Sequence, residues 1–186
     1  MAQVLVVHPD NPQMRLVRIA VEALRKGGVI VYPTDSCYAL GCMIDEKQGL
    51  ERIRQIRQLG EKHKFTLICE DLSVVSDYAK VDNTAYRLLK TYTPAPITFI
   101  LSAKNKVPRR LQTDKRKTLG FRIPDNNVLT LLLQELGEPL LSTSLIMPGQ
   151  DLPLNDLDDI EDALGKRVSH IIYSGGCQIE PTTVLD

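Results

Sequence analysis

The chain has 186 residues, 43% of them apolar and 25% charged, with 23 basic side chains against 23 acidic ones. That length supports a single domain over residues 1–186 with a sizeable core, and the composition is that of an ordinary soluble protein rather than a disordered or fibrous one. Zero net charge gives no global field to attract nucleic acid or an anionic membrane, so any RNA contact has to come from a local patch.

In chain order, residues 1–8 carry an apolar stretch without a basic start or a cleavage-site pattern, which reads as a first strand and not a signal peptide. Asn11-Pro12 suits a helix N-cap and first turn. The helix it opens, with Leu16, Ile19, Ala20, Ala23 and Leu24 at helical spacing, ends at Gly27-Gly28. The β-branched run 29–31 is a buried strand, stopped by Pro33 because proline has no N–H for the ladder, and Gly41 lets the backbone turn away. Asp45-Glu46-Lys47-Gln48 resembles a capping box before a helix reaching about Gln58. Further strands are expected at 65–69, 97–101, 119–123, 139–144 and 168–173, and helices at 83–91 and 127–137, with the acids from Asp151 to Asp162 capping and starting another. Alternating strands and helices predict an α/β sheet with helices packed on it. No apolar run reaches the roughly 18 residues of a membrane span. Cys37, Cys42, Cys69 and Cys177 form no C-x-x-C and read as free thiols in a reducing cytoplasm, Cys37 alone having a second reading as a reactive thiol.

Three groupings could carry chemistry. Thr34, Asp35, Ser36 and Tyr38 follow a strand, the position where open α/β sheets bind ligands. Ser142, Thr143 and Ser144 form a hydroxyl cluster at another strand end, suited to phosphate oxygens. A basic run holds Lys104, Lys106, Arg109, Arg110, Lys115, Arg116 and Lys117. It has no interleaved aromatic, so it favours backbone contacts to duplex-like RNA over base stacking. There is no Walker loop, G-x-G-x-x-G or G-x-S-x-G, and no His spacing suited to zinc. His8 and His170 read as structural, whereas His63, in the polar stretch 60–64, is carried as a candidate.

Five segments in order resemble the YrdC/YciO family. They are Pro33-Thr34-Asp35-Ser36-Cys37-Tyr38-Ala39-Leu40, Thr93-Pro-Ala-Pro-Ile-Thr98-Phe-Ile-Leu101, Gly120-Phe-Arg122-Ile-Pro124, Pro139-Leu-Leu-Ser142-Thr143-Ser144 and Pro181-Thr182-Thr183-Val184-Leu-Asp186. The resemblance implies a twisted mixed sheet with flanking helices around a concave basic cleft, and a short tail beyond the position of Asp186 in relatives. It also implies synthesis of threonylcarbamoyl-adenylate from threonine, bicarbonate and ATP, the ATP arriving with Mg2+ and no cofactor being tightly bound. The product serves threonylcarbamoyladenosine modification of tRNA, and some members are described as binding double-stranded RNA. Carried over by motif position, Thr34 and Tyr38 would contact threonine and Arg122 its carboxylate. Ser142 and Ser144 would meet the nucleotide phosphates, and Thr182 and Thr183 would line the cleft.

Two departures stand out. The family's K-x-R-P is missing before Phe65, leaving Arg57, Lys62 or Lys64 as substitutes for its phosphate contacts, and the family's S-A-N becomes Ser144-Leu145-Ile146, as in the YciO branch. The first reading is therefore a synthase-like nucleotidyltransferase. The alternative is a non-catalytic RNA-binding protein using the same cleft, with Arg109, Arg110, Lys115, Arg116 and Lys117 as its RNA contacts. A small-molecule or adenylate sensor is a third.

Overall fold

The computed structural model describes residues 1–60, 63–112, 117–177 and 179–186. Among the described residues, nine strands form one mixed sheet. In chain order they are β1 (Gln3–Val6), β2 (Ile30–Pro33), β3 (Tyr38–Met43), β4 (Thr66–Ile68), β5 (Ile97–Ser102), β6 (Thr118–Arg122), β7 (Leu140–Ser144), β8 (His170–Tyr173) and β9 (Thr183–Leu185). The spatial order is β1-β8-β2-β3-β7-β4-β6-β5-β9. The described helices are α1 (Met14–Arg25), α2 (Lys47–Arg57), α3 (Leu72–Tyr78), α4 (Asn83–Tyr92), α5 (Asn127–Leu136) and α6 (Leu157–Leu164).

Side chains alternate across each strand, so a sheet covered on both faces needs apolar residues in continuous runs. β2 shows this directly. Ile30 and Tyr32 pack with α1 and α5, through Val17, Leu24, Leu129 and Leu132. Val31 packs on the other face with Leu50, Ile53 and Ile56 of α2 and with Ile160 and Leu164 of α6. The same alternation sends Ala39 to the first face and Tyr38 and Leu40 to the second.

Several boundaries differ from the sequence expectation. Asn11-Pro12 does not cap α1: the N-cap is Gln13, with no side-chain bond, because residues 8–11 fold into a loop in which His8 Nδ1 accepts from the N–H groups of Asp10 and Asn11 at 3.1 and 3.0 Å. The capping box at α2 is absent too, since Glu46 is the N-cap without a side-chain bond. Gly41 does not turn the chain. It lies inside β3 opposite Ile30, and a Cβ there would sit 2.5 Å from the Tyr32 ring. Glycine is required by that close approach. The acidic stretch does start a helix, with Asp156 accepting from the N–H of Asp158 at 2.8 Å. Strands β3 and β9 and helix α3 go beyond the expected set.

Candidate functional site

Just past the carboxyl end of β2, the loop 34–37 turns into β3, with Pro33 paired to Tyr38. Thr34 shapes this turn. Its hydroxyl donates to the Cys37 carbonyl at 2.6 Å and accepts from the N–H groups of Ser36 and Cys37, each at 3.1 Å. Such a hydroxyl turn holds the backbone in one geometry beside whatever binds there.

The loop borders a cavity of about 500 Å3. Strands of the α1/α5 face supply much of its wall, including Ala39, Thr66, Thr98, Arg122 and Ser142, and the segments around Leu152 and Ile179 to Thr182 close it. Ser and Thr supply eight of the twenty described lining residues. Gly120 keeps the wall flat between β4 and β5, because a Cβ there would lie 3.0 Å from both Thr66 Oγ1 and Thr98 Cγ2. Ser142 accepts a short hydrogen bond from the Tyr32 hydroxyl, whose ionisation burial opposes. Thr182 and Thr98 share a hydrogen bond of 2.8 Å, tying the segment before β9 to β5.

Arg122 is the basic residue of the described lining, which also holds Asp151 and Glu180. It pairs with Asp35, and the two side chains are only 9% and 7% exposed. The second carboxylate oxygen of Asp35 accepts from the Asp125 N–H at 2.8 Å. Arg122 Nε is buried without a hydrogen-bond partner. A guanidinium has five donors in a fixed fork, so one carboxylate leaves capacity for a second acceptor.

Most of the motif residues converge here. Thr34, Arg122, Ser142, Ser144 and Thr182 all line the cavity. Tyr38 and Thr183 do not. Alternation turns the Tyr38 ring into the core on the opposite face, stacked on Tyr173 with centroids 5.3 Å apart, and its hydroxyl donates to the Gly175 carbonyl at 2.5 Å. Thr183 is exposed, while its neighbours Thr182 and Val184 reach the cavity. Arg57 stands beside the lining. Its Nε donates to the Ile146 carbonyl at 2.7 Å and its Nη1 to Thr143 Oγ1 at 2.6 Å. His63 Nε2 lies 3.3 Å from the same hydroxyl, and burial, then the charges of Arg57 and Arg54, hold the imidazole below its usual range. Lys64 is exposed, with Nζ 3.5 Å from Thr118 Oγ1, and Lys62 lies outside the described residues.

The basic run divides. Lys104 donates to the Ser76 carbonyl, Lys106 sits over the Tyr78 ring and Arg110 donates to the Ile44 carbonyl. Arg109 and Lys117 are exposed, and Lys115 and Arg116 lie outside the described residues. Cys37 lines the cavity, and Cys42 and Cys69 are buried and free. Burial pushes the Cys42 thiol up to about 12, which makes it a poor nucleophile. No described helix is long and apolar enough to cross a membrane.

Asp35, Thr66 and Thr98 received no individual role from the sequence. Asp35 stood inside the signature, and Gly120 within a strand run was the available signal of a close approach between its neighbours.

A mixed α/β sheet carries a hydroxyl-rich cavity with a buried arginine on its described wall, a chemistry suited to a small polar ligand with an anionic group. The family model for Sua5/YciO/YrdC domains, described as telomere recombination, matches residues 22–186, and the chain belongs to that family. It is 55% identical to the YciO protein of Escherichia coli K12 over 186 residues, covering 100% of this chain and 90% of that protein. It is 30% identical to a threonylcarbamoyl-AMP synthase of Vibrio vulnificus over 170 residues, 89% of this chain and 90% of the relative. Among solved structures, E. coli YciO matches with a TM-score of 0.95 over 100% of this chain and 90% of that one. P. abyssi Sua5 complexed with L-threonine matches in fold with a TM-score of 0.90 at 22% identity, over 98% of this chain and 54% of that one.

Proposed function

We propose that the cavity binds threonine and ATP and that the chain makes threonylcarbamoyl-adenylate for tRNA modification. The observation that carries this reading is Arg122, buried on the cavity wall among hydroxyls with a donor left over from its pair with Asp35. Support comes from the relatives named threonylcarbamoyl-AMP synthase and from the similar fold of a Sua5 complexed with L-threonine.

In this reading threonine's amine combines with bicarbonate, losing water, to give a carbamate. A carbamate oxygen attacks the α-phosphorus of ATP, and the bond to the β-phosphate oxygen breaks to release pyrophosphate. Mg2+ would arrive with the nucleotide and would neutralise its phosphate charge. The chain's part is positioning and electrostatics, which dominate such transfers. Arg122 takes the amino acid's carboxylate, and Ser142 and Ser144 meet phosphate oxygens. Arg57 fixes the segment carrying Ile146, the aliphatic side chain that stands where the family's asparagine would.

Incubation with ATP, threonine and bicarbonate tests the proposal. Pyrophosphate release that requires both threonine and bicarbonate, together with the mixed anhydride in the mass spectrum, is the expected result. Saturable threonine and ATP binding with no such release would leave a binding protein and refute the synthase reading. The RNA-binding alternative rests on Arg109 and Lys117, the exposed cations among the described residues that the sequence assigned to RNA.

A further inference from the structure

The carboxylate of Asp35 is more buried than a surface acid and touches the one guanidinium of the described cavity wall, yet Asp35 is absent from that described lining. Its neighbours Thr34 and Ser36 face the cavity. Both Asp35 oxygens are engaged, one by Arg122 and one by the Asp125 N–H. The arginine is thus presented with its charge compensated from the side away from the ligand and its fork held in one orientation.

We infer that Asp35 sets the charge selectivity of the Arg122 end of the cavity. It is a positioning residue that makes Arg122 a donor for the carboxylate of a zwitterionic α-amino acid and disfavours a phosphate dianion there. The inference rests on the reading of the cavity as an amino-acid and nucleotide site and deepens it by assigning its two ends.

Net charge at the guanidinium governs which anion it prefers. An uncompensated buried guanidinium carries a full positive charge in a medium of low effective dielectric, and its attraction for a dianion is about twice that for a monoanion. With Asp35 beside it the local sum is zero, so that long-range advantage disappears. What remains is the short-range, directional hydrogen bonding of the part of the guanidinium fork that Asp35 does not occupy, which suits a planar carboxylate. A zwitterion carries no net charge, so compensating the guanidinium removes far less of its long-range attraction than of a dianion's. Asp151 and Glu180, also on the lining, add negative charge that acts in the same direction. The phosphates are then left to the Ser142, Ser144 and Arg57 side.

Asp35→Asn tests this. The amide oxygen can still accept from Arg122 or from the Asp125 N–H, so orientation is largely kept while the charge is lost. Calorimetry at pH 8 with L-threonine and, separately, inorganic phosphate reads the selectivity. The expected result is phosphate affinity raised about tenfold or more over the unmodified protein, the scale of one unit of charge at short range. Threonine affinity should stay level or fall. The gain in phosphate affinity must vanish in the D35N/R122M double variant, which locates it at Arg122. A purely structural role for Asp35 would weaken both ligands together, and that outcome overturns the inference, as does unchanged phosphate affinity.

Should D35N fail to fold, the unmodified protein decides. A compensated site predicts threonine affinity that changes less than about twofold between 50 and 500 mM salt, and a steep fall overturns the inference. If threonine does not bind at all while D35N still gains phosphate through Arg122, the amino-acid reading of the cavity falls and the charge role of Asp35 stands.

Discussion

Replacing Gly41 by alanine is the sharpest test of how packing supports the cavity. A Cβ at this position would sit 2.5 Å from Tyr32 Cε1 and 2.9 Å from its hydroxyl oxygen. Tyr32 cannot step aside freely, because its ring is fully buried with α1 and α5 and its hydroxyl donates to Ser142 on the cavity wall. Overpacking of this kind costs about 1–3 kcal/mol. Displacing the ring also disturbs a buried hydrogen bond worth about 1 kcal/mol. The sum is about 2–4 kcal/mol, a large part of a stability of roughly 5–15 kcal/mol. With a urea m-value of about 2 kcal/mol per molar, the unfolding midpoint should fall by about 1–2 M. Tyr32→Leu should be costly alone, yet the G41A/Y32L pair should cost less than the two separately, since the leucine leaves room for the new methyl. A G41A midpoint within about 0.2 M of the unmodified protein, or strictly additive costs, would refute the argument that this ring requires glycine.

Arg122→Met strands a buried carboxylate and should cost about 3–5 kcal/mol in chemical denaturation, and threonine affinity measured on the folded fraction should drop about 10- to 100-fold; a stability loss under about 1 kcal/mol would mean the Asp35 pair is not the buried contact described. For RNA, Arg109→Ala with Lys117→Ala should flatten the slope of log affinity against log salt, and a slope identical to the unmodified protein moves any RNA surface elsewhere. The missing clamp predicts synthase turnover at least about 100-fold below that of a relative carrying K-x-R-P and S-A-N, the scale of one lost transition-state contact. Ile146→Asn combined with a rebuilt K-x-R-P before Phe65 should raise the rate by more than the product of the separate gains, as read by pyrophosphate release.

Much of the site was legible because the chemistry sits in short motifs at strand ends. Thr34, Ser36, Cys37, Ala39, Thr98, Arg122, Ser142, Thr143, Ser144 and Thr182 meet around one cavity although the sequence separates them widely. The misses follow from geometry that a linear reading does not resolve. Tyr38 and Thr183 belong to motifs in which Thr34, Ser36, Ala39, Thr182 and Val184 face the cavity, but a strand's period of two turns each to the other side. The Asp35–Arg122 pair spans 87 positions, and no local pattern announces it. Lys104, Lys106 and Arg110 read as an electrostatic surface, yet each is engaged with a carbonyl or ring of a distant segment. Gly41 shows the same limit: a glycine after a polar loop reads as a turn, and only the facing Tyr32 ring reveals a packing requirement.

The cavity wall gathers Thr34 with Thr182, and between them Thr66, Thr98, Arg122 and Ser142. β9 docks alongside β5 with Ile97 opposite Thr183, so the wall closes only through a pairing of segments far apart in the sequence. Contacts of such long sequence separation carry a loop-closure entropy that only the assembled sheet offsets. Any ligand of this cavity is therefore a reporter of the finished fold and fastens its distant segments together. At one hundred times its dissociation constant it would add about 2.7 kcal/mol to the unfolding of the whole chain, not to one corner of it. Thermal-shift screening of amino acids and nucleotides against the intact protein should accordingly register binding as a single cooperative rise, and a fragment ending before β9 should register none.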